Sequence, residues 1–199
     1  MMPMEILLVD HHAALTRAWS EVFAEHEEVT VVHGDFFERD ADAMVSPANS
    51  FGIMDGGIDV AIRRELGGTI QNVVQKLILE KHHGELHVGA AEIVETAHVR
   101  WPFLVVAPTM RVPESVANTL NAYVAFRAIL LAVMRHNEQS PTKLIRSLLV
   151  PGLGTGIGAM DPRRCAAQMR LALDQVRGPA RIPSYSTIRA LHQKLRTAI

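Results

Sequence analysis

The sequence predicts an α/β fold with a largely parallel sheet covered by helices on both faces. Short runs of Ile, Leu and Val alternate along the chain with longer segments whose apolar residues recur at helical spacing. Several of these runs are apolar at every position, which is typical of strands buried on both faces. The 199 residues, 48% of them hydrophobic, suffice for one domain with a substantial core.

The first half of the chain alternates strands and helices. Its strands are predicted where short apolar runs end at a turn residue, and its helices where one face is apolar. In chain order the elements are a strand at 5–9, a helix at 12–25, strands at 29–33 and 42–46, a helix from 58 to a break at Gly67-Gly68, and a helix at 69–81.

The second half continues the alternation. In chain order its elements are strands at 92–96 and 103–107, a helix at 115–136, a strand at 144–150, a helix after residue 161, and a short helix at 187–197. Ser115 is expected to cap the long helix, and Asp161 the next, with Pro162 at the first helical position.

The chain is expected to form one domain over residues 1–199, since no repeat, low-complexity tract or long linker divides it. Residues 29–176 are predicted to form the core. Residues 1–28 are predicted to be an N-terminal strand-helix extension that adds an edge strand and a covering helix. Residues 177–199 form a C-terminal segment.

Charge and cysteine content narrow the class of protein. The formal net charge is −1, so no global field recruits nucleic acid or an acidic membrane, and no local basic patch stands out. No run approaches the roughly 20 apolar residues of a membrane-spanning helix, and the first residues lack a signal-peptide pattern. Cys165 is the only cysteine, which excludes an intrachain disulfide and a cysteine-rich zinc site. We therefore expect a cytoplasmic protein.

A glycine-rich loop follows the last strand. Gly152, Gly154, Gly156 and Gly158 alternate between that strand and a helix. Glycine permits backbone conformations that turn successive N–H groups toward one point, and a helix N-terminus adds a positive dipole end, so the segment suits a phosphate. A tight turn is the plainer alternative. No Lys-Ser or Lys-Thr follows as in a Walker loop, and the acidic residue of a dinucleotide fold falls in a predicted helix.

Two further segments carry polar residues at strand ends. The loop at 47–59 offers Asn49, whose amide suits sugar hydroxyls, then Gly56-Gly57 and Asp59 on the first turn of a helix. Asp59 taken alone would be read as a carboxylate that complements the helix dipole. Gly34-Asp35 could accept hydrogen bonds from an exocyclic amine such as adenine N6, or be an ordinary turn.

Taken together, these segments resemble the macro-domain family in order and spacing. The resemblance runs from about residue 29 to 176 and rests on Gly34-Asp35, on Val45-Ser46-Pro47-Ala48-Asn49 with Gly56-Gly57-Ile58-Asp59, and on Gly154-Thr155-Gly156-Ile157-Gly158. The segment at 108–113 is similar to a bacterial and phage-tail-associated branch. The family implies a three-layer α/β/α sandwich with a mixed sheet, and a ligand lying across the strand C-termini.

The resemblance also implies roles for individual residues. Asp35 would bind the adenine amine, Phe36 would contribute its backbone N–H, and Asn49 would hold the distal ribose. Asp59 matches the acid that hydrolytic members use to orient or activate water, so Asp59 and Asn49 are the catalytic candidates. The diphosphate would lie among residues of two loops: Gly56, Gly57, Ile58, Gly154, Thr155, Gly156, Ile157 and Gly158.

Two positions depart from the family pattern. Ser46 stands where the family has the first Asn of Val-Asn-Ala-Ala-Asn, and Ala159-Met160 stand where an aromatic residue is common. As a whole, the resemblance implies binding of ADP-ribose or a derivative, with hydrolysis of ADP-ribosyl or O-acetyl-ADP-ribose esters. The alternatives are a non-catalytic reader of ADP-ribosylated targets and a structural or assembly protein that retains the fold. We expect no metal, cofactor or membrane partner, and nucleic acid only as a modified substrate.

Several other residues have side chains that could bind a metal or react. Asp10-His11-His12 is similar to a metal-binding motif of one phosphoesterase family, but only nine residues precede it, which favours a strand-to-helix connection. The three histidines at 82, 83 and 87 are expected to be solvated. Cys165 is expected to be a buried thiol, and Trp19 and Trp101 are expected in the core.

Overall fold

The computed structural model describes residues 4–197, and its secondary structure follows the predicted alternation. Within these residues the strands are β1 (Glu5–Asp10), β2 (Val29–His33), β3 (Ala43–Ser46), β4 (Glu92–Glu95), β5 (Phe103–Val106) and β6 (Ser147–Val150). The α-helices are α1 (Ala13–Val22), α2 (Gly57–Leu66), α3 (Ile70–His82), α4 (Asn121–Gln139), α5 (Pro162–Arg177) and α6 (Tyr185–Thr197).

The strands form one mixed sheet in the order β2-β1-β6-β3-β5-β4. All neighbouring pairs are parallel except β4 and β5, which are antiparallel. The predicted mixed, largely parallel sheet is therefore confirmed. Because the parallel strands run in one direction, the loops that leave β1, β2, β3, β5 and β6 emerge at the same edge of the sheet.

Both faces of the sheet are covered, which explains why the strands are apolar throughout. Alternate residues of β1 belong to two different cores: Leu8 packs with α1, α4 and α5, while Val9 packs with α2 and α3. In β5, Val105 and Leu104 divide in the same way. Side chains alternate across a strand, so a two-sided core requires apolar residues at every position. The three-layer α/β/α sandwich is confirmed.

The strand at the N-terminus is not at an edge, contrary to expectation. β1 lies between β2 and β6, with Ile6 opposite both Val29 and Leu148. Its residues Leu8 and Val9 are fully buried. An edge strand has a neighbouring strand on one side only, whereas β1 is paired on both sides. Helices also cover both faces of β1, which is why it is apolar at alternate positions on each face. The expected covering helix is α1, which packs on β1, β2 and α5.

The long helix predicted at 115–136 was placed too early, because α4 begins at Asn121 and Ser115 does not cap it. The backbone N–H of Val116 instead donates to the carbonyl of Gly158 at 2.7 Å, which draws this segment onto the glycine-rich loop. The Thr119 hydroxyl accepts the first helical N–H, from Asn121, at 3.2 Å. Val116, which the apolar spacing placed on the helix, therefore packs on the glycine-rich loop instead.

The other predicted boundaries agree to within a few residues. Asp161 caps α5 through hydrogen bonds from the backbone N–H groups of Arg163 and Arg164, with Pro162 at the first position, as expected. The last strand starts at Ser147 rather than 144, because the Asn137 side chain engages the backbone of Ile145. Among residues 4–197, no helix combines the length and hydropathy needed to cross a bilayer.

Candidate functional site

A cleft of about 880 Å³ opens at the edge of the sheet where the parallel strands end. Its volume is within the range of about 300–1,000 Å³ that is usual for small-molecule sites. All twelve residues predicted for the site line it: Asp35, Phe36, Asn49, Gly56, Gly57, Ile58, Asp59, Gly154, Thr155, Gly156, Ile157 and Gly158. The structure therefore brings together three segments that are separate in sequence, at 35–36, 49–59 and 154–158.

The glycines of the loop after β6 have different reasons for being glycine. Gly154 has φ +74°, a left-handed conformation that favours glycine. A Cβ on Gly158 would lie 2.5 Å from the Gly154 carbonyl oxygen, so this position must stay bare for the loop to close on itself. A Cβ on Gly156 would meet nothing within 4 Å. Only Gly156 thus combines a position in the cleft wall with no evident role in folding the loop.

The helix N-terminus that faces the cleft belongs to α2, not α5. From the sequence we expected the start of the helix after the glycine-rich loop to face the ligand. In the structure Asp161 caps α5, and no residue of its first turn lines the cleft. By contrast, Gly56, Gly57 and Ile58 at the start of α2 all line it, and no side chain caps them. The free N–H groups of this helix can therefore donate to an anion in the cleft.

Asn49 is held within its own loop. Its Nδ2 donates to the Ile53 carbonyl at 2.7 Å, and its Oδ1 accepts from the backbone N–H groups of Phe51 at 3.0 Å and Ile53 at 3.3 Å. The residue lines the cleft as expected, but its amide shapes the loop between β3 and α2 rather than projecting unpaired into the cavity.

Asp59 is a buried carboxylate on the wall of the cleft. It lies on the first turn of α2 and is only 8% exposed. The Ser46 hydroxyl, at the end of β3, donates to its Oδ1 at 2.6 Å. Burial raises the pKa of Asp59 to about 6, and the hydrogen bond from Ser46 opposes part of that rise. The side chain is therefore a base whose protonation changes near neutral pH.

Asp35 and Phe36 form a different part of the wall, just after β2. One oxygen of Asp35 accepts the backbone N–H of Phe37 at 2.8 Å and caps a short 3₁₀ helix over Phe36–Glu38. The other oxygen accepts no hydrogen bond from any residue between 4 and 197. Asp35 is exposed, whereas the Phe36 ring is buried. An unengaged carboxylate oxygen at the cleft can accept from a ligand amine.

The N-terminal segment contributes to the cleft in a way that the sequence did not reveal. Asp10, His11 and His12 all line it. The Asp10 carboxylate accepts from the backbone N–H of His12 at 2.9 Å and from that of Gly152 at 3.2 Å, while its carbonyl accepts from Gly34 at 3.1 Å. Asp10 thus joins the ends of β1, β2 and β6. The available signal was its position directly after a buried parallel strand.

The segment after β5 also reaches the cleft. Thr109, Met110 and Pro113 line it, and Met110 pairs with Asn49 in an isolated bridge. The aromatic residue expected after the glycine-rich loop is replaced by Ala159, with φ +51°, and Met160, which is buried in the core on the α4 side. The chain therefore turns inward immediately after the loop.

The other residues that the sequence singled out lie outside the cleft. Burial raises the pKa of the Cys165 thiol to about 12, so it is not poised as a nucleophile. Trp19 and Trp101 are fully buried, as expected. His82 is not simply solvated, because its Nε2 lies 2.8 Å from a Glu92 carboxylate oxygen. No group of three or more potential metal ligands is assembled within the described part of the chain.

Comparison with known proteins agrees with this architecture. The chain belongs to the macro-domain family, whose family model, described as Macro domain, matches residues 45–169. A protein of Aquifex aeolicus is 32% identical over 150 residues, covering 75% of this chain and 81% of that protein. A macro domain-containing protein in the gbd 3′ region of Cupriavidus necator is 30% identical over 148 residues, covering 73% and 79%.

Solved structures show the same fold. The macrodomain of Mycobacterium tuberculosis DarG matches with a TM-score of 0.54 at 24% identity, over 72% of this chain and 88% of that chain. The Oceanobacillus iheyensis macrodomain with ADP gives 0.58 at 18% identity, over 71% and 72%. Thermosipho africanus DarTG in complex with ADP-ribose gives 0.56 at 20% identity, over 76% and 42%.

Proposed function

We propose that this protein binds ADP-ribose in the cleft and hydrolyses ADP-ribosyl or O-acetyl-ADP-ribose esters. The observation that carries the proposal is a buried carboxylate, Asp59, on the wall of a nucleotide-sized cleft that also presents a free helix N-terminus and a glycine-rich loop. Two of the solved structures of this fold hold ADP and ADP-ribose.

The cleft offers a different chemistry for each part of the ligand. Asp35 has an unengaged oxygen for the adenine amine, and His11 and His12 line the same cleft. The diphosphate would lie between the start of α2 at Gly57 and the loop around Gly156, where backbone N–H groups and the helix dipole favour negative charge. The distal ribose then falls on the side of the cleft formed by the loop between β3 and α2.

Asp59 would act as the general base. With a pKa of about 6, most of the carboxylate is ionised at pH 7.5 and can accept a proton. In the proposed step, a water oxygen attacks the ester carbonyl carbon while Asp59 takes a proton from that water. The acyl C–O bond breaks, and the sugar oxygen leaves and is protonated, giving ADP-ribose and a carboxylic acid. Ser46 would fix one carboxylate oxygen, so that the other is directed by packing rather than free to rotate.

A non-catalytic reader is the second candidate, and Asn49 favours it. Three hydrogen bonds commit the Asn49 amide to its own loop and leave a single Nδ2–H, so this side chain would hold the distal ribose by one hydrogen bond at most. Such a site could still bind the nucleotide, because the diphosphate and adenine contacts do not involve Asn49. Positioning of the sugar, which hydrolysis needs most, would be weaker.

Calorimetric titration with ADP-ribose, followed by single-turnover assays on O-acetyl-ADP-ribose, tests the proposal. Asp59→Asn should lower the hydrolysis rate by about 10²–10⁴-fold with little loss of affinity, because it removes the base and keeps the shape. Glu65→Gln, an exposed position on the same helix outside the cleft, is the matched control and should retain both properties. Binding without turnover in the wild type identifies a reader, and no binding leaves a structural protein.

A further inference from the structure

The charge of the chain is unevenly distributed. Residues 175–199 contain five of the 20 Lys and Arg residues and none of the 21 Asp and Glu residues. The other 174 residues consequently have an excess of acidic residues, and the net charge of −1 is the sum of the two parts. The expectation that no basic patch stands out therefore overlooked a segment that has five cations and no acidic residue.

Helix α6 has one face on the protein and one in solvent. Leu195 is buried and Leu191 is half-buried, so the leucines face the body, where α6 packs on α5. The exposed part of the helix carries a stripe that we call the basic stripe, spaced i, i+4, i+7 and i+11, so that its members share one side of the helix. All four are exposed: Tyr185, Arg189, His192 and Arg196.

Of the cations of this segment, Arg177, at the end of α5, pairs with Glu28, and the arginines beyond it are unpaired among the described residues. Some exposed cations elsewhere pair with carboxylates, as in Arg111 with Glu85 and Lys143 with Glu95. Arg181, Arg189 and Arg196 form no ion pair with any residue between 4 and 197. Their positive potential is therefore not offset locally and extends into solvent over about a Debye length, ~8 Å at physiological salt.

We propose that the basic stripe of α6 docks the sugar-phosphate backbone of nucleic acid, independently of the cleft. Guanidinium groups match phosphate oxygens in a bidentate geometry, and the exposed Tyr185 ring at the end of the stripe is a surface on which an unpaired base can stack. Phosphates are acceptors without local competitors here, since the segment has no carboxylate to occupy the arginines.

The packing of α6 favours nucleic acid over a lipid surface. A helix that lies on a membrane inserts a continuous apolar face into the acyl boundary. In α6 the leucines that would form this face are turned onto the protein, and the outward face is the basic stripe with one aromatic ring. Two isoleucines of the segment are exposed, Ile182 (95%) before the helix and Ile188 (43%) beside the leucines, and two separate side chains do not form the continuous apolar face that a membrane-bound helix needs.

Fluorescence anisotropy with an unmodified, labelled oligonucleotide of about 16 nucleotides tests the proposal. Three phosphate contacts predict that log K falls with log[salt] with a slope of about −2 for a single strand. Arg189→Gln/Arg196→Gln should reduce the magnitude of the slope by about 1.4 and weaken binding at least ~10-fold at ~50 mM salt. The matched control is Arg64→Gln/Lys76→Gln, which removes the same charge from exposed positions on the other side of the sheet.

Both variants change exposed side chains, and thermal denaturation should show that they fold like the wild type. The titrations are repeated with saturating ADP-ribose, which should not displace the oligonucleotide; failure of the cleft to bind ADP-ribose would leave the result on α6 unaffected. The proposal is overturned if the wild type does not bind at low salt, or if both double variants lose affinity equally. It is also overturned if phosphatidylserine vesicles bind and the oligonucleotide does not.

Discussion

Replacing Asp59 by asparagine should stabilise the fold at alkaline pH while removing the proposed base. The folded-state pKa of about 6 lies above the ordinary value of 3.8, so folding favours the protonated acid. The stability associated with the neutral form is fully present below pH 3.8 and is lost as the pH rises through 6. Keeping Asp59 ionised in the fold is therefore a cost that the wild type bears at neutral pH and above.

The size of this cost follows from the two pKa values. The linkage relation gives about 3 kcal/mol at pH 8 and about 1 kcal/mol at pH 4.5. Asparagine has a similar shape and can accept the Ser46 hydrogen bond through its amide oxygen. It loses the favourable interaction of a carboxylate with the first turn of α2, about 0.3–1 kcal/mol. The net gain should be about 2 kcal/mol at pH 8, which corresponds to about 4–8 °C in Tm.

Urea and thermal denaturation of the wild type and Asp59→Asn across this pH range measure the effect. Glu65→Gln removes an exposed carboxylate from the same helix and should change the free energy of unfolding by less than about 0.5 kcal/mol. An NMR titration of the Asp59 carboxyl should give a pKa near 6. A gain in stability that does not depend on pH, or a loss at pH 8, would show that Asp59 is not held as a costly buried anion.

Three further substitutions test separate parts of the cleft. Gly156→Val should abolish ADP-ribose binding and leave the Tm unchanged, because its Cβ meets no protein atom within 4 Å; calorimetry showing normal affinity would remove this loop from the diphosphate site. Asp35→Asn keeps the cap on Phe37 but loses the charge, and should weaken ADP-ribose by about 1.5–3 kcal/mol while sparing ribose 5-phosphate. Equal losses for both ligands would contradict a role in adenine recognition. Asp10→Ala leaves the N–H of Gly152 without its partner and should cost about 1–3 kcal/mol in urea denaturation, with faster hydrogen exchange at that amide; unchanged exchange would argue against the link.

The parts of the fold that depend on local sequence were predictable. Strands that are apolar on both faces indicate a parallel sheet, and the carboxyl ends of parallel strands meet at one edge of that sheet. That reasoning is sufficient to bring Asp35, Asn49 and Gly156 to the same cleft although nothing local links them. The cap of α5 at Asp161 was equally predictable, because it depends only on Asp161 and on the residues that directly follow it.

Features that depend on pairing between distant segments were not predictable. The position of β1 inside the sheet requires knowing that β6 pairs with it, and the same pairing carries Asp10 to Gly152. The late start of α4 arises from a hydrogen bond between Val116 and Gly158 across forty residues of chain. Apolar spacing alone cannot distinguish a residue that packs on a helix axis from one that packs under a loop.

The role of Asn49 shows how a correct location can accompany a different chemistry. Its amide was expected to hold a sugar, and in the structure three of its hydrogen bonds close the loop between β3 and α2, which leaves one Nδ2–H for a ligand. An amide has both donors and an acceptor, so sequence cannot say whether its partners will be a ligand or nearby backbone. The loop that Asn49 shapes still forms the side of the cleft next to Asp59.

Ser46 is the departure from the family pattern with the clearest physical consequence. A serine hydroxyl carries one proton and here donates it to Asp59, so the residue acts on the carboxylate and not on a ligand. Burial raises the pKa of Asp59, and the hydrogen bond from Ser46 lowers it again in part. More of the carboxylate is therefore ionised at neutral pH than burial alone would allow. By lowering the folded-state pKa, the same hydrogen bond also reduces the cost of keeping Asp59 ionised in the fold at neutral pH. The substitution at position 46 is therefore compatible with a retained base.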